Sequence, residues 1–150
     1  MSECTLTLEQ QPAASDMAAL NSWIVEYNLA QVGDHWKGRL AILARDPQGQ
    51  LAGGILGFTD RGWLRIEILV VQEQHRRAGI GTRLLRAAEG EALRRSCHSA
   101  WLDTFSFQAL PFYQRQGYTI FGSLGRYPDQ HTRYFVQKAL APGDQSDLAR

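Results

Sequence analysis

Two cysteines in 150 residues cannot staple a fold. Cys4 and Cys97 stand far apart, in no CxxC or Cys/His spacing, so they read as reduced thiols and no metal site is expected. No run of about 18 apolar residues occurs, so no membrane span is predicted. A basic segment followed by an apolar run is missing near Met1, so no signal peptide is read and a cytoplasmic location is expected. The formal net charge of +1 gives no general attraction to nucleic acid or to a membrane surface. There is no internal repeat. Two phosphate-binding patterns also fail: Leu84 stands where GxGxxG needs its third glycine, and no Lys follows to complete a P-loop.

What is present fits one globular domain over residues 1–140. A hydrophobic fraction of 44% with 21% charged residues is ordinary for such a domain, and the length allows a substantial core. The polar end, APGDQSDLAR from Ala141 to Arg150, is expected to be a disordered tail. Cys4–Glu9 alternates and reads as a strand. Ser15 or Asp16 can cap a helix whose Met17, Leu20, Ile24 and Tyr27 recur at core spacing. Residues 31–38 read as loop or short helix. Arg39–Arg45 and Leu51–Phe58 form a hairpin around Asp46-Pro47-Gln48-Gly49, where Pro presets φ and Gly accepts a positive one. Ser99–Thr104, Tyr118–Leu124 and Arg133–Leu140 read as later strands, and Gln108–Gln116 as a short helix with Pro111 in its first turn.

The stretch from Trp63 to Ala92 organises the chain. A strand, Trp63–Val71, meets a polar loop, and Gly79-Ile80-Gly81 opens an amphipathic helix with Ile80, Leu84, Leu85, Ala88 and Ala92 on one stripe. By two-residue alternation Leu64, Ile66, Ile68 and Val70 share an apolar face, and Glu67 shares the other with Leu69 and Val71. A helix start carries free N–H groups and the positive end of the macrodipole. Glycines admit a ligand to the backbone there, and Arg76, Arg77 and Arg83 add fixed positive charge. The turn reads as a diphosphate cradle. Three antiparallel strands ahead of it argue against a Rossmann start.

Arg76-Arg77-Ala78-Gly79-Ile80-Gly81 follows the pattern R-x-x-G-x-G, and Ala109 to Tyr118 (ALPFYQRQGY) follows A-x-x-F-Y-x-x-x-G-[FY]. Together these resemble the GNAT superfamily of acetyl-CoA-dependent N-acetyltransferases, from the first strand to about Leu140. Asp103–Ala109, Tyr127-Pro128, His131 and Lys138 resemble a subgroup of small bacterial members. The resemblance implies an α/β (α+β) GNAT fold: a central mixed, mostly antiparallel, twisted sheet of six to seven strands, about four flanking helices, and a splayed parallel pair after the Trp63 strand. It implies acetyl-CoA as cosubstrate and no metal. Pantetheine would pair with Leu69, Val70 and Val71. The diphosphate would lie on Arg76, Arg77, Ala78, Gly79, Ile80, Gly81 and Thr82. Many members carry a cofactor-binding Asn three residues before the Ala109 position; Ser106 stands there in this chain.

Acetyl transfer to an amine needs a neutral amine, a stabilised oxyanion and a proton donor for the leaving thiolate. Glu67 is the candidate general base. By family analogy the Val71 N–H serves the oxyanion. Tyr113, whose phenol ordinarily titrates near 10, is the candidate acid and also touches the cofactor. His35, Trp36 and His131 are candidate acceptor contacts. The expected activity is direct transfer through a ternary complex to a small-molecule or peptide amine. The alternative is a non-catalytic acyl-CoA-binding sensor or interaction subunit. A homodimer is compatible with the exposed strand edges of this fold.

Overall fold

The computed structural model describes residues 2–141, so the expected tail lies, Ala141 apart, outside the described residues. The chain divides into two compact units, residues 1–35 and 36–150.

The first unit holds one helix, α1 (Ala14–Val32). Its N-cap is Ala13, which offers no side-chain acceptor; Asp16 lies inside the first turn, where its charge complements the macrodipole. Gly33, at φ 77°, ends it. The stripe Met17, Leu20, Ile24 and Tyr27, expected as core, has no second element to pack on within this unit. Cys4–Glu9 forms no strand. Alternation alone does not make one; the backbone groups need a neighbouring strand to pair with, and this unit holds none among the described residues.

The second unit contains β1 (Trp36–Arg45), β2 (Leu51–Asp60), β3 (Trp63–Val71), a single 3-10 turn at Glu73–His75, α2 (Ile80–Arg94), β4 (Ser99–Phe105), α3 (Leu110–Arg115), β5 (Thr119–Leu124) and β6 (Arg133–Ala139). Among the described residues the count is thus six strands and three α-helices. The sheet order is β1-β2-β3-β4-β6-β5, antiparallel throughout except for the β3–β4 pair that the α2 crossover makes parallel. Trp36, placed by the sequence in a loop or short helix, begins β1. No helix among the described residues is long and apolar enough to cross a membrane.

Local chemistry sets the two hairpins. Asp46 Oδ1 accepts the N–H groups of Gln48 and Gln50, each at 2.9 Å, and Gly49 takes φ 80°. Arg61 and Gly62, both at positive φ, make the two-residue turn between β2 and β3 that matches strand twist. The α2 stripe Leu84, Leu85, Ala88 and Ala92 is buried against Leu40, Ile55, Leu64 and Ile66, as the periodicity predicts. Burial also pushes the Cys97 thiol up.

The alternation expected along β3 fails halfway. Leu56 pairs with Ile68 but Gly57 pairs with Ile66, so Glu67 is an extra residue without a partner on β2. This is a β-bulge, and it inverts which side chains face the core. Leu64 and Ile66 are buried before it; Leu69 and Val71 pack on the core after it, while Ile68 and Val70 are exposed. Glu67 and Val71 therefore do not share a face. Gly57 makes the bulge sterically feasible: a Cβ there would lie 2.2 Å from the Arg65 carbonyl oxygen.

Candidate active site

The start of α2 is open. Gly79 is its N-cap at φ 76°, no side chain caps it, and no acid stands in its first turn. Arg77 also takes a positive φ, 66°. A cleft of about 400 Å³ lies against this turn. Leu69, Val70, Val71, Arg76, Arg77, Gly79, Ile80, Gly81, Thr82 and Tyr113, all singled out in the sequence, line it together. Ala78 is not among the lining residues. His75, Ala109, Phe112 and Arg115 also line the cleft; His75 carried no sequence signal beyond its place in the polar loop before the glycines.

Beside the cleft the sheet opens. β3 and β4 pair only at Trp63–Ser99, Leu64–Ala100 and Arg65–Trp101, and from Ile66 onward β3 has no partner on that side. The gap holds about 410 Å³, and Glu67, Leu69, Val70, Arg76, Asp103, Thr104 and Tyr113 are among its walls. The Gln72 N–H donates to the Ala52 carbonyl on β2 at 2.9 Å. Backbone groups alternate in direction along a strand, so the N–H and C=O of Val71 point away from β2, on the side where β4 has splayed off, and Val71 lines the cleft. Arg76 Nε already donates to that carbonyl at 3.0 Å.

Tyr113 joins the two spaces. It lines both, is 6% exposed, and is held edge-on by Phe112 and Tyr118 at ring separations of 5.1 and 5.9 Å. Burial, with a smaller push from the Asp103 carboxylate, raises its phenol to about 12, so it is neutral at physiological pH.

Glu67 reaches the gap from the bulge, and its Oε1 accepts from Arg39 at 2.7 Å in an ion pair at the surface. Across the gap stands Asp103, which belongs to neither of the two sequence motifs. It accepts from Arg133 Nε at 2.8 Å and lies 3.8 Å from Arg65. Its signal was available: an acid in a strand whose alternate residues, Ala100, Leu102 and Thr104, are buried.

The remaining candidates lie elsewhere. The Ser106 hydroxyl accepts from the Thr132 N–H at 3.1 Å and hydrogen-bonds His131 Nδ1 at 3.2 Å; neither residue lines the cleft or the gap. The His131 ring sits edge-on to Phe107 at 4.9 Å. Trp36 stacks on Phe58 at 5.4 Å. The His35 ring bonds the Val32 carbonyl at 2.6 Å. Among the described residues no group of three or more His, Cys, Asp or Glu is placed to hold a metal ion.

A glycine-opened helix start beside a splayed parallel strand pair has the room and the backbone donors to take an extended ligand with an anionic end. The family model of the acetyltransferase (GNAT) family matches residues 8–118. An acetyltransferase of Agrobacterium fabrum is 43% identical over 107 residues, covering 71% of this chain and 78% of that protein. The blasticidin-S acetyltransferase of Streptomyces morookaense is 38% identical over 101 residues, 67% of this chain and 74% of its own. A solved acetyltransferase structure from Bacillus cereus superposes with a TM-score of 0.82 at 27% identity, covering 89% of this chain and 98% of that one. The chain belongs to the GNAT acetyltransferase family.

Proposed function

We propose that this protein moves an acetyl group from acetyl-CoA to a primary amine by direct transfer in a ternary complex. The observation that carries the reading is Tyr113: it lines both the cleft at the α2 start and the gap between β3 and β4, and its phenol is neutral. In this reading the diphosphate rests on the backbone from Arg76 to Thr82, favoured by the uncapped helix start. The pantetheine arm adds along the unpaired edge of β3, displacing Arg76 from the Val71 carbonyl. The thioester then lies at Tyr113, the residue that lines both the cleft and the gap. The Val71 N–H stabilises the oxyanion, Tyr113 donates to the leaving sulfur, and Glu67 takes the amine proton directly or through water.

Thiol release from acetyl-CoA against a broad amine panel tests this. The similarity to the blasticidin-S acetyltransferase puts blasticidin S on that panel. Acceptor-dependent release is expected. Tight acetyl-CoA binding without release on any amine would favour the acyl-CoA sensor instead.

A further inference from the structure

Two buried ionisable side chains take no part in the transfer. Glu89, on α2, is 8% exposed, and Tyr118, directly after α3 and Gly117, is 2% exposed. The Tyr118 hydroxyl donates to Glu89 Oε2 at 2.9 Å. Lys138 on β6 neutralises the same carboxylate at 3.0 Å. A phenylalanine at position 118 would bury as much ring. Lys138 is half-buried, and taking a carboxylate out of water for such a pair seldom adds net stability over apolar packing, so the network calls for another role.

Its geometry supplies one. The segment bearing Tyr113 is tied to α2 at two points. Gln116 Nε2 donates to Thr82 Oγ1 at 3.2 Å, and Tyr118 reaches Glu89. Thr82 and Glu89 are seven residues apart, so they lie on one face of the helix, about 10 Å apart along it. Tyr118 is in turn bonded to Tyr113, N–H to carbonyl at 3.0 Å, and its ring meets the Tyr113 ring edge-on. The helix that holds Glu89 also begins at the diphosphate cradle.

We propose that Glu89, acting through the Tyr118 hydroxyl and balanced by Lys138, is a positioning residue that fixes the Tyr113 phenol relative to the cradle on its own helix. The inference rests on the reading of Tyr113 as donor to the sulfur. Small misplacements of a reacting group cost rate without costing binding.

The test is a double-mutant cycle on the full chain, reading acetyl-CoA affinity by calorimetry and single-turnover rate by quench. Tyr118→Phe should bind acetyl-CoA within about twofold of wild type and slow the chemical step about tenfold. In a Tyr113→Phe background the same substitution should change the rate less than about twofold, since no phenol remains to position. Glu89→Gln, which keeps an acceptor for the Tyr118 hydroxyl, should show the same pattern more weakly. An equal loss in both backgrounds, or no loss in either, overturns the positioning role. An unchanged chemical step in Tyr113→Phe alone overturns the donor reading beneath it.

Discussion

Replacing Tyr113 by Phe removes one O–H and leaves the ring, its burial and its contacts with Phe112 and Tyr118. The size of the effect follows from the phenol's own acidity. Burial and Asp103 raise it to about 12, whereas an ordinary thiol titrates near about 8.5. Moving the proton fully onto the leaving thiolate is then uphill by about 3.5 units, roughly 5 kcal/mol. The phenol is better suited to hold its proton and donate a hydrogen bond to the developing charge. Hydrogen bonds to charged groups contribute about 1.5–3 kcal/mol, or about 10- to 150-fold in rate. Single-turnover measurement with the best acceptor should show that loss, with acetyl-CoA affinity nearly unchanged. No alkaline limb between pH 6 and 10 should be traceable to Tyr113. A loss beyond about 10³-fold would mean that the proton does transfer in the transition state, as full general-acid catalysis requires. An unchanged rate would make Tyr113 a packing residue. Either result refutes the hydrogen-bond argument.

Gly81→Val should fold, because a Cβ at that position meets only the Phe112 ring at 3.6 Å; calorimetry should show acetyl-CoA affinity lowered by about tenfold or more, a change of about 1.4 kcal/mol. Glu67→Gln should lower turnover and spare cofactor binding, and the deficit should shrink as pH rises and more acceptor is already neutral; identical pH–rate profiles for variant and wild type would remove Glu67 from the chemistry. Gly57→Ala should lose about 1–3 kcal/mol in urea unfolding, the usual cost of overpacking, since its Cβ falls on the Arg65 backbone rather than on a movable side chain. Stability should also fall between pH 10 and 12. The folded Tyr113 pKa is raised, so the unfolded chain loses its proton first, and a shift of two units withdraws about 3 kcal/mol across that window. Alkaline unfolding of Tyr113→Phe should show a shallower slope there.

The β3-loop-α2 unit was legible because its signals are local. Apolar runs, a polar interruption and two glycines set the strand Trp63–Val71 and the opening of α2 at Gly79-Ile80-Gly81 where they lie. The cradle residues follow from contiguity in sequence, and all but Ala78 meet at one cleft. What was hidden depends on partners remote in the chain. Cys4–Glu9 has the pattern of a strand but no second strand within its own unit. Arg39 and Glu67, 28 positions apart, pair only because two hairpins bring them together. Ser106 holds the sequence place of a cofactor contact, yet its hydroxyl is engaged by Thr132 and His131 after the chain has left β4.

The bulge at Glu67 was hidden for the same reason, and it decides what β3 can do. A regular strand would keep Ile68 and Val70 on the core side with Leu64 and Ile66. It would also turn the Val71 N–H toward β2, where the ladder would consume it. One inserted residue reverses both. Leu69 and Val71 close the core beneath the cleft, and the Val71 N–H is delivered to the unpaired edge beside β4. The inserted residue itself has no ladder partner, so its side chain is re-aimed outward to Arg39, at the wall of the gap opposite Asp103. The proposed oxyanion donor and the proposed base, four residues apart in sequence, thereby come to two adjoining spaces, Val71 to the cleft and Glu67 to the gap, with Tyr113 lining both. On this argument the amine comes to the thioester from the side where Glu67 and Ile68 are exposed, and the cosubstrate from the side of α2 and Tyr113. The glycine at position 57 permits that arrangement, because it is the only residue whose backbone can lie against Arg65 without a Cβ in the way.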